Sequence, residues 1–185
     1  MRATGDRNIL DRFCTDFCDI VQRHCKYIVV SGFVAISSGR TRATEDIDMI
    51  IEKLNLARFK ALHSDLAKAG FTCMQSDSPE EVYSYLAEEK ASVRYTLRDH
   101  PLPEMEVKFA KDELDSMQLQ TRVKLPLTGL DIWFSSISMN IAFKEELLKS
   151  DKDLKDAEHL RKIYPELVSE DEIKHIKKMI LRLRL

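Results

Sequence analysis

No stretch of this 185-residue chain approaches the roughly 18 consecutive apolar residues that a helical membrane span needs, so no membrane segment is expected. The opening Met1-Arg2-Ala3-Thr4-Gly5-Asp6 lacks the apolar run of a secretory signal, and a cytoplasmic location follows by default. Glycine and proline are scarce, at five each, which excludes a fibrous repeat and a low-complexity linker. A dominant charge is missing as well: 29 Lys and Arg stand against 31 Asp and Glu, so the surface as a whole is no trap for polyanions. Also absent is a second C-x₂₋₄-C knuckle to pair with Cys14-x₃-Cys18 as known zinc sites require. Instead Leu10, Cys14, Phe17, Cys18, Val21 and Cys25 recur on one helical face, where free cysteine acts as a small buried hydrophobe.

What remains is a soluble globular composition, long enough for one core of ordinary size. Basic residues cluster only at Lys174-His175-Ile176-Lys177-Lys178, with Arg182 and Arg184 beyond them. That stretch is either a solvated helix face or a short nucleic-acid contact.

Periodicity predicts a helix from about Arg7 to His24, a buried strand Tyr27-Ile28-Val29-Val30, a short helix Phe33–Ser37 and a strand Ile47–Ile51 with Asp46 at its mouth. Asn55 and Ser78 are N-caps of two further helices, with Pro79 at the first helical position of the second. Strand character follows at Phe71–Met74, Ser92–Leu97 and Glu104–Ala110, with Asp99-His100-Pro101 turning between the last two. Two shorter strands are expected near Thr121–Leu125 and Leu130–Phe134. From Ser138 onward the pattern is helical, and Ser169-x-x-Glu172 is a capping box for the last helix. The expected organisation is an α/β core over residues 1–135, a mixed β-sheet flanked by helices, with a helical C-terminal region 136–185 packed on it.

The chemically informative segment runs from Val29 to Ile50: a strand, Ser31-Gly32 turning into a helix, a polar loop, and a strand bearing Asp46 and Asp48. Gly32 lets phosphate oxygens approach backbone N–H groups, the Ser31 hydroxyl adds a donor, and the helix start favours anions. Asp46 and Asp48 stand two apart on a strand, so both point to one side, and such oxygen ligands suit Mg²⁺ or Mn²⁺. Taken alone, Asp-x-Asp is also the look of a solvated strand end. Holding two metals for in-line phosphoryl transfer takes a third carboxylate. Met105, Val107 and Phe109 alternate with Glu104, Glu106 and Lys108, which makes Glu106 the choice and Glu104 the alternative.

The combination resembles the DNA polymerase beta superfamily of nucleotidyltransferases, whose pattern is Gly-[Gly/Ser], a spacer, then Asp-h-[Asp/Glu]-h; here the thirteen residues Phe33 to Glu45 form the spacer. It is most similar to the small prokaryotic branch that includes abortive-infection-type nucleotidyltransferase toxins. Gly32, Gly39, Arg42, Thr44, Asp46 and Asp48 occupy matching places, and Lys144 with Lys152-Asp153-Leu154-Lys155-Asp156 look like that branch's helical elements. The likeness spans about residues 27 to 160. Ser31 departs from it, standing where the motif has its first glycine.

The resemblance implies a nucleotidyltransferase fold and the transfer of a nucleoside monophosphate from an NTP to a hydroxyl of RNA, protein or a small molecule. Asp46, Asp48 and Glu106 would hold Mg²⁺ or Mn²⁺, and Glu106 would accept the proton of the attacking hydroxyl. Ser31, Gly32, Thr44 and Lys144 would serve the nucleotide, and Arg42 would either reach its phosphates or brace the loop. A second reading is an inactive protein of the same fold that binds a nucleotide or a partner, as in a toxin–antitoxin pair. A third, an unrelated α/β module, requires Asp46 and Asp48 to lie far from Ser31 and Glu106.

Overall fold

The computed structural model describes residues 4–41, 44 and 46–185. Among the described residues, eight α-helices surround one five-stranded mixed sheet. Helix α1 (Thr4–Val21) precedes β1 (Tyr27–Val30), the short α2 (Gly32–Ser37) and β2 (Asp46–Ile51). Then come α3 (Leu56–Lys68), β3 (Phe71–Cys73), α4 (Pro79–Ala87), β4 (Val93–Leu97) and β5 (His100–Phe109). The remainder is α5 (Glu113–Gln120), α6 (Ile137–Phe143), α7 (Asp151–Ile163) and α8 (Glu170–Arg184).

Local chemistry accounts for most of these boundaries. Asn55 accepts the Arg58 N–H at the start of α3, and Ser78 accepts that of Glu81 at the start of α4. The Ser169 side chain does the same for Glu172 and opens α8. One long apolar face drives α1, where Leu10, Phe13, Cys14, Phe17, Cys18 and Val21 are all buried. The cysteines therefore pack the core, as their spacing predicts.

The strands lie in the order β1-β2-β5-β4-β3, with β2 and β5 parallel and the other pairs antiparallel. Period-two alternation divides the sheet into two unlike faces. Tyr27, Val29, Ile47, Met49, Ile51, Met105, Val107 and Tyr95 share one face and enter the main core with α1, α3 and α4. That core continues through Ile137, Leu160 and Ile180, so it extends beyond residue 135 into the C-terminal helices. The opposite face carries Ile28, Val30, Asp46, Asp48, Ile50, Glu104, Glu106 and Arg94. On that side Leu119 of α5 packs on Ile28 and Ile50, with Val30 and Ala110 against them, and the charged positions lie outside this apolar cluster.

Two expectations are corrected, and one helix is added. The β4–β5 turn is tighter than Asp99-His100-Pro101: Leu97 pairs with His100, and Asp99 has φ 63. Where two strands were expected at Thr121–Leu125 and Leu130–Phe134, only isolated bridges form among the described residues, Val123 with Phe134 and Val29 with Phe134. Ahead of them, residues 113–120, for which the periodicity predicts no element, form α5. Asp112 caps it by accepting the Asp115 N–H, and its weak apolar periodicity hid it from a pattern search.

Candidate functional site

Pairing between β2 and β5 builds the site. Their parallel register sets Asp46 beside Glu104 and Asp48 beside Glu106, so four carboxylates share one patch of the open face. The third reading of the sequence, which needs these residues apart, does not survive this register. On the other side β1 pairs antiparallel with β2, bringing Val30 opposite Asp48. The next residue, Ser31, thereby comes beside the Asp48 carboxyl. Burial pushes the Asp48 carboxyl above the usual range; Glu106 and Asp46 add to that, while the neighbouring Ser31 side chain and Lys108 act against it.

The turn into α2 places its unusual backbone on Ser31, with φ 65 and ψ −134, rather than on Gly32. Only glycine adopts such a conformation readily, so the serine sits where the resembled motif has glycine for a steric reason. Helix α2 itself is entirely buried and tied to the C-terminal part. The Ser38 hydroxyl hydrogen-bonds to Tyr164 at 3.0 Å, His159 Nε2 lies 3.1 Å from the Ser38 carbonyl, and Arg40 donates to the Lys152 carbonyl at 3.1 Å. Thr44 donates to the backbone carbonyl of Asp46 at 3.1 Å and so braces the mouth of β2. Arg42 lies outside the described residues.

Lys144 is 1% exposed, at the point where α6 runs on into a π-helical stretch, Lys144–Leu148. Its Nζ lies 2.8 Å from Asp156 and 3.6 Å from Asp153, both on α7, and Asp156 also holds Arg40. The Lys152–Asp156 element thus pairs with the preceding helix and the α2 loop rather than along its own axis. A cavity of about 160 Å³ connects the two regions, lined by Ser31, Asp48, Lys108, Asn140, Phe143 and Lys144 among others. It is smaller than the roughly 300 Å³ at which pockets for whole ligands begin.

This architecture has solved counterparts. An antigenic nucleotidyltransferase-like protein from Paracoccidioides brasiliensis superposes with a TM-score of 0.54 at 16% identity, over 98% of this chain and 90% of that one. The fold is a nucleotidyltransferase fold. The antibiotic-resistance factor ANT(2'')-Ia also aligns, with a TM-score of 0.49 and 13% identity over 93% of each chain. No family model matches the chain, and no curated protein matches its sequence.

Within this nucleotidyltransferase fold, Asp46 and Asp48 suit a divalent ion by donor chemistry: two hard carboxylates on one face of one strand. A tighter set does not form, since among the described residues no three His, Cys, Asp or Glu side chains gather closely enough to hold a metal. Glu106 and Glu104 turn instead to Arg94 of β4, whose Nη2 lies 3.3 Å from Glu106 and whose Nε lies 3.5 Å from Glu104. The carboxylates raise the Arg94 pKa further, Glu106 first. Sequence reasoning missed Arg94 and Lys108. Arg94 alternates between the buried Val93 and Tyr95, which marks it as outward-facing, but its partners depend on a strand register that no local pattern supplies.

The basic C-terminal stretch is largely paired within the molecule. Lys177 contacts Glu145 at 2.8 Å, Arg182 contacts Glu113, and Arg184 holds Asp112 and Asp115.

Proposed function

We propose that this protein is a nucleotidyltransferase that moves a nucleoside monophosphate from an NTP to a hydroxyl acceptor with the help of Mg²⁺ or Mn²⁺. The reading rests on one observation above the rest: the β2–β5 register sets Asp46 and Asp48 beside Glu104 and Glu106 on an open sheet face, within reach of Ser31. Asp46 and Asp48 would hold the cation, which when bound supplies positive charge to the triphosphate. Ser31 and the backbone N–H groups at the start of α2 would orient the terminal phosphates. Glu106 would take the proton of the attacking hydroxyl as its oxygen bonds to the α-phosphorus and pyrophosphate departs.

A second reading keeps the fold and drops the chemistry. The contacts of Arg94 with Glu104 and Glu106 favour it, because the guanidinium occupies carboxylate oxygens that a metal ion or an attacking hydroxyl would need. The chain would then bind a nucleotide, or a protein partner as in a toxin–antitoxin pair, without transferring anything.

Calorimetry with each of the four ribonucleotide triphosphates, with and without Mg²⁺, tests the site. Metal-dependent binding that is lost in Asp46→Ala/Asp48→Ala is the expected result. Absence of binding by the intact protein would refute both readings of the site as a nucleotide site. Where binding holds, labelled NTP incubated with RNA, protein or small hydroxylated acceptors separates transfer from binding alone.

A further inference from the structure

We propose that Arg94 takes, from within the chain, the place a second divalent ion would occupy, so that this site binds one metal ion rather than two. The inference rests on the nucleotide-site reading above and narrows it. Asp46 and Asp48 belong to one strand and suffice for a single ion. A second ion needs a carboxylate from the neighbouring strand. Both candidates there, Glu104 and Glu106, face the same guanidinium, at 3.5 and 3.3 Å. Arg94 is set opposite Glu106 by the antiparallel β4–β5 register, so the sheet fixes its backbone within reach of both glutamates. Its planar fork reaches two carboxylates at once, which a lysine point charge would do less well.

The charge balance agrees. Four carboxylates, Asp46, Asp48, Glu104 and Glu106, are met by Arg94 and by Lys108, one alternation further along β5 and near enough to Asp48 to act on it. Before a nucleotide adds its own negative charge, the remainder matches one divalent cation. A second ion beside Glu106 would stand within a few ångströms of a guanidinium that cannot lose its proton, and the two like charges would repel.

Equilibrium dialysis of Mn²⁺ against the protein saturated with a non-hydrolysable α,β-methylene NTP counts the bound ions, with the ion carried by free nucleotide subtracted. Electron paramagnetic resonance reports coupling between paired ions. Wild type is expected to hold one Mn²⁺ per chain with no spin coupling. Arg94→Gln should take up a second ion and show coupling, and Arg94→Lys should return to one. Side-chain exposure of 47% at Arg94 makes these substitutions tolerable to the fold, and a thermal melt of each variant checks this. Two ions on wild type would overturn the inference while leaving the nucleotide site intact. So would a single ion on Arg94→Gln that melts like wild type. Failure of wild type to bind nucleotide or Mn²⁺ would overturn the underlying reading instead.

Discussion

Replacing Lys144 by Met separates its two roles, support of the fold and contact with a phosphate. The methionine keeps the apolar stem and removes the charge. Asp156 is 0% exposed, and the change leaves it held by Arg40 without the ammonium 2.8 Å away. Removing one partner of a buried ion pair typically costs about 3–5 kcal/mol. Because Arg40 still offsets part of the Asp156 charge, the lower end applies, about 3 kcal/mol. In a chain of this size each kcal/mol shifts the melting temperature by about 2–4 °C, so the expected fall is roughly 6–12 °C. Urea unfolding gives the free energy directly. The cycle with Asp156→Asn should show a favourable coupling of about 1–3 kcal/mol, since the two side chains touch. To reach a phosphate, Lys144 would have to leave Asp156, so nucleotide affinity measured well below the melting temperature should change little. A Lys144→Met protein within about 0.5 kcal/mol of wild type that no longer binds nucleotide would refute this reasoning and make Lys144 a ligand contact.

At Ser31 the positive φ predicts that Ser31→Gly is more stable than Ser31→Ala by about 1 kcal/mol or more, read from urea midpoints, because both lose the same hydroxyl and only glycine relieves the backbone. Equal stabilities would mean that the turn is unstrained. Burial lowers the pKa of His63, against smaller opposing effects of Asp77 and Glu80, and its Nδ1 pairs with the Tyr95 hydroxyl at 2.9 Å. The unfolded chain therefore binds more protons just below the usual histidine value of about 6.5, so stability should fall as the pH drops through that point and level off once the folded form is also protonated. His63→Gln should flatten this slope in denaturation curves taken between pH 5 and 8. All four cysteines are free and buried, and burial pushes the Cys25 thiol up to about 12. A chelator selective for zinc over magnesium and manganese should leave the melting temperature unchanged, and a thiol reagent at pH 8 should react only as the protein unfolds; fast labelling of the native chain would refute the packing account.

Where sequence and structure agree, the signal is local. Asn55, Ser78 and Ser169 cap helices because a short polar side chain can reach the N–H three residues on, and that geometry needs no tertiary contact. The Cys14–Cys18 face and the alternation along β5 are likewise carried by periodicity alone. What failed was weakly periodic or supported from outside: α5, whose cap Asp112 is itself held by Arg184 from the far end of the chain, and the bridges at Val123 and Phe134, which are too short to count as strands.

The third carboxylate shows where local reading stops and topology takes over. Alternation puts Glu104 and Glu106 on one face, but it cannot say which stands beside Asp48; the parallel register assigns Glu106 to Asp48 and Glu104 to Asp46. Shifting that register by one residue would send Met105 and Val107 into the open cleft and both glutamates into the core, a change the buried face forbids. The hydrophobic face thus fixes the carboxylate geometry through the shared backbone. The same constraint places Arg94, because the antiparallel β4 must bury Val93 and Tyr95 beside Val107 and Met105 and so presents the arginine to Glu106. Core packing on one side of the sheet and charge pairing on the other are therefore two outcomes of one register. A substitution that slipped β4 would disturb the core and release Glu106 together.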